Sequence, residues 1–171
     1  MVRNVGTTRS LNMAVTEAFG TVAAWTLSYA SGNFAYTCDT TDEVGVVALP
    51  IEIPLVNDAN GVGSAAINTV EMSYTIGTAA LDAAPTAAIK LVAKAVDGAA
   101  PVVTSVACTV VAGGSITDTK TVDDHLITIT PDTDVDLSGS ENIILEVSFD
   151  KAATSTVALT GCTANYNPLI G

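Results

Sequence analysis

Three aspartates alternate in the last third of the chain, at Asp132, Asp134 and Asp136. Carboxylate oxygens are the hard ligands that Ca²⁺ prefers, and alternating carboxylates occur in calcium-binding loops. An EF-hand would need glycine at the position of Leu137 and glutamate at the position of Ile143, so this segment is not an EF-hand. The spacing predicts either a looser calcium loop or a solvated acidic turn between two strands.

The chain has one histidine, His125, which follows Asp123 and Asp124. Adjacent side chains on a strand point to opposite faces, which disfavours a metal site built from these three residues. A hydrolytic triad would need a serine and a carboxylate around this histidine, and the sequence has no GxSxG elbow to present the serine. We therefore predict that the protein is not an enzyme, assign no catalytic residue, and expect His125 on the surface of a strand.

The three cysteines, Cys38, Cys108 and Cys162, are far apart in the sequence. Without a CxxC pair they indicate neither a zinc site nor a redox motif. An odd number disfavours a dedicated disulfide framework, so buried thiols are expected, with one disulfide or a bond between subunits as the alternative. Apart from the calcium considered above, no cofactor is predicted.

The charge is strongly acidic, with 18 Asp and Glu against 6 Lys and Arg and a net charge of -12. Binding to phosphates needs clustered Lys and Arg, so neither nucleic acid nor an anionic membrane is an expected partner. Both arginines, Arg3 and Arg9, lie in the first twenty residues, which show no clear strand pattern. This segment is either a frayed terminus or an arm that docks on an acidic partner or a neighbouring subunit.

Strand patterns dominate the rest of the chain. Apolar residues alternate with polar ones in four stretches, which predicts one buried face in each. The four apolar sets are Val70, Met72, Tyr74 and Ile76; Ile143, Leu145, Val147 and Phe149; Trp25, Leu27 and Tyr29; and Val47, Leu49, Ile51, Ile53 and Leu55. Further strands are predicted at 87–96, 102–111, 126–130 and 157–166, and the apolar character of both phases at 102–111 predicts a strand covered on both sides.

Turn residues separate these runs at intervals of about 8–12 residues, as in sandwiches and jelly rolls. We predict an all-β fold, an antiparallel β-sandwich of jelly-roll or Greek-key type with an N-terminal arm. The arm is assigned to residues 1–20 and the sandwich domain to residues 21–171. Around Ser10 to Phe19, a short helix capped by Ser10 and an extended arm are equally compatible with the sequence.

The composition predicts self-association. Hydrophobic residues make up 49% of the chain and charged residues 14%. Monomeric proteins seldom expose large apolar patches, so part of this surface is expected to lie against neighbouring subunits.

The order of motifs in the C-terminal half resembles that of small jelly-roll structural proteins of tailed bacteriophages. The resemblance covers about Asn68 to Tyr166 and depends on strand patterning and composition. It is carried by the runs SYTIGT at 73–78, AALDAAP at 79–85, DLSG at 136–139, ENIILEV at 141–147 and STVALTG at 155–161. In that family such domains are capsid decoration proteins or parts of head and tail fibres, and they form trimers that are seated by their N-terminal region.

The resemblance implies a virion structural protein, a capsid decoration or cement subunit that self-associates as a homotrimer and binds the major capsid protein or another virion protein. It would be made in the host cytoplasm, since the first residues lack the apolar core of a signal peptide. One alternative is a receptor- or glycan-binding fibre module, for which the early aromatic residues are the candidates: Trp25, Tyr29, Phe34 and Tyr36. Another alternative is a surface-layer or filament subunit whose arm adds a strand to its neighbour.

Overall fold

The structure, a computed structural model, describes residues 3–4, 9–13, 19–22, 25–30, 33–38, 44–52, 64–93, 100–137 and 141–170. Within these ranges the regular secondary structure is entirely β, and no helix of a length and apolarity suited to crossing a membrane occurs. The strands are β1 (Arg3–Asn4), β2 (Arg9–Met13), β3 (Phe19–Val22), β4 (Trp25–Ala30), β5 (Asn33–Cys38), β6 (Val44–Pro50), β7 (Ser64–Gly77), β8 (Thr86–Ala93), β9 (Val103–Ala112), β10 (Asp124–Pro131), β11 (Val135–Leu137), β12 (Glu141–Asp150) and β13 (Thr156–Ile170).

These strands form one continuous antiparallel ladder in the order β3-β6-β12-β8-β9-β10-β7-β13-β5-β4, and β1, β2 and β11 pair beside it. The ladder folds over on itself. Tyr74 in β7 and Phe149 in β12 are four strands apart along it, which in a flat sheet would separate them by about 19 Å. Their ring centroids lie 5.1 Å apart in an edge-on contact, so the two parts of the ladder face each other.

We call β3, β6, β12 and β8 the first half-sheet, and β10, β7, β13, β5 and β4 the second half-sheet; β9 joins them. From β6 onward the chain passes repeatedly between the two half-sheets, as strands do in Greek-key and jelly-roll sandwiches. The predicted fold class, an all-β antiparallel sandwich, is therefore confirmed.

The core lies between the half-sheets and contains the predicted apolar faces. Val70, Met72, Tyr74 and Ile76 of β7 are at most 1% exposed, and the four predicted residues of β12 are also buried. Val47, Leu49 and Ile51 from β6 and its end are buried as well. The side chains of Trp25, Leu27, Tyr29, Ile53 and Leu55 lie outside the described part of the molecule.

The strands β7 and β13 are paired along almost their entire lengths, with two irregularities in register. One is at Thr160, an extra residue of β13 between the pairs that Leu159 and Gly161 make with β7. Before this bulge the buried residues have odd numbers, as at Leu159, and after it they have even numbers, as at Cys162. The bulge therefore keeps both ends of a fifteen-residue strand facing the same core.

The N-terminal strands lie beside the outer edge of β13. Arg9–Met13 pairs with residues 162–166, and Arg3–Asn4 pairs with Ile170 and Leu169. The sequence allowed a short helix or an extended arm around Ser10 to Phe19. Residues 9–13 have the extended conformation, and the following residues 14–18 lie outside the described ranges.

The strand β9 corrects one expectation. Its two apolar phases predicted cover on both sides, but Val103 and Val111 are 55% and 49% exposed. Only the phase of Val106, Cys108 and Val110 packs against the core. The reason is the position of β9 at the fold of the ladder, where nothing in the described chain covers its outer face.

Candidate functional site

A groove of about 560 Å³ lies on the second half-sheet, where β10, β7 and β13 run side by side. Because the side chain of Tyr74 points into the core, its neighbours Ser73 and Thr75 face outward into this groove. Its other lining residues are Tyr74, Gly114, Ser115, Ile116, Asp124, His125, Leu126 and Thr160. The volume falls within the range of about 300–1,000 Å³ that is typical of small-ligand sites.

The groove opens onto a row of small side chains that crosses five strands. Directly paired positions place these residues in the order Asp124, Thr75, Ala158, Thr37 and Thr26. All five are half-buried or exposed, and the row spans about 19 Å at the usual strand spacing. The surface beside the groove therefore bears a row of hydroxyl groups.

Hydrogen bonds fix the polar groups of the floor. Thr75 Oγ1 donates to Asp124 Oδ1, and Thr160 Oγ1 donates to the carbonyl oxygen of Ser73 at 3.2 Å. The backbone N–H of Asp124 donates to Asp123 Oδ1 at 2.8 Å. Asp124 carries the one carboxylate among the described lining residues, which include no lysine or arginine.

The connection between β9 and β10, residues 113–123, forms one wall of the groove. Two buried side chains hold it: Tyr74 Oη donates to the carbonyl oxygen of Thr119, and His125 Nε2 donates to that of Thr121, both at 2.7 Å. The two rings are stacked with centroids 5.2 Å apart. The wall is thus bonded to the core rather than lying loose on the surface.

Burial raises the pKa of the Tyr74 phenol above its ordinary value, and the negative charge of Asp118 acts in the same direction. The phenol therefore remains protonated and keeps donating to the wall. Backbone bonds support the same connection, from the N–H of Leu81 to the carbonyl of Lys120 at 2.8 Å and from the N–H of Ile76 to that of Asp123 at 2.9 Å.

Gly113 lies where the wall leaves β9. A Cβ atom there would stand 2.9 Å from Thr128 Oγ1 and 3.1 Å from Leu126 Cγ, closer than ordinary contacts. Its N–H donates to the carbonyl of Leu126 at 2.8 Å. The absence of a side chain at this position lets the wall lie directly on β10.

The expectation that His125 lies on the surface is wrong, because its side chain is only 4% exposed. It belongs to the inward phase of β10 together with Ile127 and Ile129, and the wall covers the end of the strand. Its Nε2 is bonded to a backbone carbonyl, and its Nδ1 is buried without a hydrogen-bond partner. This geometry makes His125 a structural residue of the groove wall.

Of the predicted calcium ligands, the two whose side chains the structure describes, Asp132 and Asp134, do not line the groove. Asp132 and Asp134 are exposed, and Asp132 accepts a hydrogen bond of 2.7 Å from Thr109 Oγ1. Asp136 pairs with Ala66 in the ladder, and its side chain lies outside the described ranges. Over the described residues, no group of three or more His, Cys, Asp or Glu is placed to hold a metal ion. The calcium loop stays a prediction.

The predicted partner-binding residues, Arg3 and Arg9, lie on β1 and β2 at the edge of β13, and Arg9 is exposed. Arg9 does not line the groove, the side chain of Arg3 lies outside the described part of the molecule, and the partner role of both stays a prediction. Cys38 and Cys162 are buried as expected, whereas Cys108 is half-buried.

Three residues of the groove, Ser73, Thr75 and Thr160, were not predicted as site residues from the sequence. Ser73 and Thr75 occupy the outward phase of a strand whose inward phase was predicted correctly. Three polar residues in that phase, Glu71, Ser73 and Thr75, were the available signal. The bulge at Thr160 had no counterpart in the sequence analysis.

Comparison with known proteins gives distant likenesses in structure alone. No family model matches the chain, and no curated protein matches its sequence. A mutant of a family 29 carbohydrate-binding module matches with a TM-score of 0.45 and 10% identity, over 93% of this chain and 86% of that chain. Two further matches are also carbohydrate-binding modules.

The first of these is the low-affinity xylan-binding module CBM86 of the gut symbiont Roseburia intestinalis, with a TM-score of 0.37, 12% identity, and coverage of 93% of this chain and 95% of that chain. The second is the mannan-recognising module TmCBM27, with a TM-score of 0.39, 12% identity, and coverage of 93% and 98%. Nothing here indicates a phage origin. Because each TM-score is below 0.5, the functional proposal depends on the geometry of the groove.

Proposed function

We propose that the protein is a non-catalytic binding module that holds a carbohydrate in the groove between β10, β7 and β13. The observation that carries this proposal is the lining itself, in which four serine and threonine hydroxyls, the Tyr74 phenol and one carboxylate surround a space of small-ligand size. Hydroxyl groups both donate and accept hydrogen bonds, and a carboxylate accepts them, so this set matches a ligand rich in hydroxyl groups.

The wall favours binding because it is already in place. Tyr74 and His125 hold its carbonyls from the core, so little ordering is needed when a ligand enters. Preorganised sites lose less free energy to ordering and bind more tightly. The hydroxyl row from Thr75 to Thr26 offers further polar surface to a ligand longer than one sugar ring.

The proposal is tested by NMR titration of the ¹⁵N-labelled protein with a panel of neutral oligosaccharides. We expect amide shifts that concentrate at Ser73, Thr75, Asp124 and residues 114–116. Thr75→Val, which removes a lining hydroxyl, should weaken binding several-fold. Its matched control is Thr130→Val, because Thr130 is an exposed threonine on a neighbouring strand that does not line the groove.

Shifts scattered away from the groove, or none with any saccharide, would overturn the proposal. An equal loss in the Thr75→Val and Thr130→Val proteins would show that general surface change, rather than the groove, governs binding.

A second proposal, self-association through β9, is supported by a separate observation. Val102, Val103 and Val111 are 68%, 55% and 49% exposed and lie in or next to one strand. Covering these side chains in an oligomer would remove apolar surface from water. Such an oligomer would suit the homotrimeric capsid-decoration subunit that the sequence predicts, bound to a capsid lattice in a virion.

Light scattering tests this second proposal. We expect an oligomer whose mass falls to that of one chain on Val103→Lys, while Thr26→Lys, an exposed position on β4 at the end of the ladder far from β9, leaves the mass unchanged. A wild-type mass of one chain at micromolar concentration would remove the support for self-association.

A further inference from the structure

We propose that Asp124 makes the groove selective for saccharides without acidic groups, so that neutral sugars bind and uronate or sulfated sugars are rejected. This inference names the ligand class for the site and therefore depends on the proposed function. Its basis is the charge around the groove rather than the hydroxyl groups that define the site.

Asp124 is exposed on the outward face of β10 and lies in the groove lining. Thr75 donates its hydroxyl hydrogen to this carboxylate, which holds the charged group toward the floor. An ionised carboxylate only accepts hydrogen bonds, so a ligand meets it favourably with O–H or N–H groups. A second carboxylate brought to the same place has no proton to offer.

The surroundings of Asp124 reinforce this preference. Asp118 and Asp123 lie in the wall, and the whole chain has a net charge of -12. The wall also contains Lys120, and like Asp118 and Asp123 it does not line the groove, so the wall adds one net negative charge from these three residues. A like charge close to Asp124 is repelled, and the repulsion is stronger where the protein replaces water.

The size of the effect can be measured with a matched pair of ligands: a neutral hexose oligomer and the same oligomer carrying a carboxylate at C6. At low ionic strength we expect the acidic oligomer to bind at least about tenfold more weakly, which corresponds to about 1.4 kcal/mol. Added salt should reduce the difference, because it screens exposed charges.

The decisive variant is Asp124→Asn, which removes the charge and keeps an oxygen to accept the Thr75 hydroxyl. We expect it to bring the two oligomers to within about threefold of each other. Asp134→Asn is the matched control, since it removes one exposed carboxylate outside the groove and changes the net charge equally. The control should keep the wild-type discrimination.

Isothermal titration calorimetry of the three proteins with both oligomers separates the outcomes. Equal binding of both oligomers by the wild type would overturn the selectivity and leave the proposed function standing. An equal effect of Asp124→Asn and Asp134→Asn would assign the discrimination to the overall charge and overturn the role of Asp124. Binding of neither oligomer, together with none of the neutral panel, would overturn the proposed function as well.

Discussion

The strands β7 and β9 are both rich in apolar residues but have very different environments. In β7 the inward residues from Val70 to Ile76 are at most 1% exposed. In β9 the core-facing phase is only half-buried, and the outward valines at 103 and 111 are about half exposed. The difference comes from position in the ladder. The core face of β7 lies against β12 of the opposite half-sheet, and β9 runs along the line where the ladder folds.

This contrast teaches that an apolar strand is not necessarily a covered strand. The alternation in β7 identifies the one face that is buried. The uniformly apolar pattern of β9 does not show which of its faces packs against the core. The outward phase of β7 became the floor of the groove, and the outward phase of β9 became an apolar surface.

The largest effect is expected from truncating the core face of β7. Met72→Ala removes a fully buried side chain and should lower the free energy of unfolding by about 2–5 kcal/mol. Val103→Ala removes an exposed side chain of β9 and should change it by less than about 0.5 kcal/mol. Urea denaturation of both proteins measures the difference, and similar losses would contradict the assignment of β9 to the surface.

The pH dependence of stability should distinguish Cys162, which lies in β13 beside β7, from Cys108 in β9. Burial raises the pKa of Cys162, which pairs with Met72, to about 12 from 9.0, and it also raises the pKa of Cys108 in β9. The unfolded chain therefore loses its Cys162 proton first. Stability is fully present below pH 9 and falls as the pH rises from 9 to 12, by up to about 1.4 kcal/mol per pH unit.

Urea denaturation at a series of pH values measures this fall, and Cys162→Ala should make it shallower than in the wild type. Cys108→Ala serves as the comparison from β9 and should change the slope less, because Cys108 is less buried. An equal change of slope in both variants would contradict the difference in burial between the two strands.

A smaller effect is expected from removing the tie between β7 and the groove wall. Tyr74→Phe keeps the buried ring but leaves the carbonyl of Thr119 without the donor Tyr74 Oη. The free energy of unfolding should fall by about 1–2 kcal/mol. Hydrogen exchange should rise much more in residues 117–121 than in β12, where exchange follows global unfolding. A uniform rise across the domain would show that the hydroxyl supports the whole core rather than the wall.

The smallest effect concerns the exit from β9. Gly113→Ala forces a Cβ atom against Thr128 and Leu126 and should lower the free energy of unfolding by about 1 kcal/mol. At Gly114 such an atom would come no closer than an ordinary 3.8 Å to Leu126 Cβ, so Gly114→Ala is the control. Thermal unfolding of the two variants gives the comparison, and equal melting temperatures would contradict the close packing of the wall at Gly113.

The sequence predicts the fold well where polarity alternates strictly. The faces of β7 and β12 follow directly from their period of two, because one face of each had to be buried. His125 could not be placed in the same way. Its polar side chain is acceptable inside only because Thr121 supplies a carbonyl, and that partner comes from the folding of a loop that the sequence pattern does not reveal.

The groove was predictable only in its floor. Ser73 and Thr75 could be assigned to the outward phase of a strand, but their meeting with Asp124 depends on the pairing of β7 with β10, across 49 positions of sequence. Ladder register over such distances is decided by the packing of the whole sandwich. Thr160 lines the groove at a β-bulge, and no residue type in the sequence predicts a bulge at this position.

That bulge accommodates one surplus residue without changing the pairing on either side of it. Leu159 pairs with Tyr74 and Gly161 with Ser73, so deleting Thr160 would join two stretches that are already in register and make β13 a regular strand. Cys162 and Tyr166 would keep facing the core, and the groove would lose the Thr160 hydroxyl with its bond to Ser73. A one-residue deletion here should therefore be far less damaging than one elsewhere in β13, which would turn the following inward side chains outward.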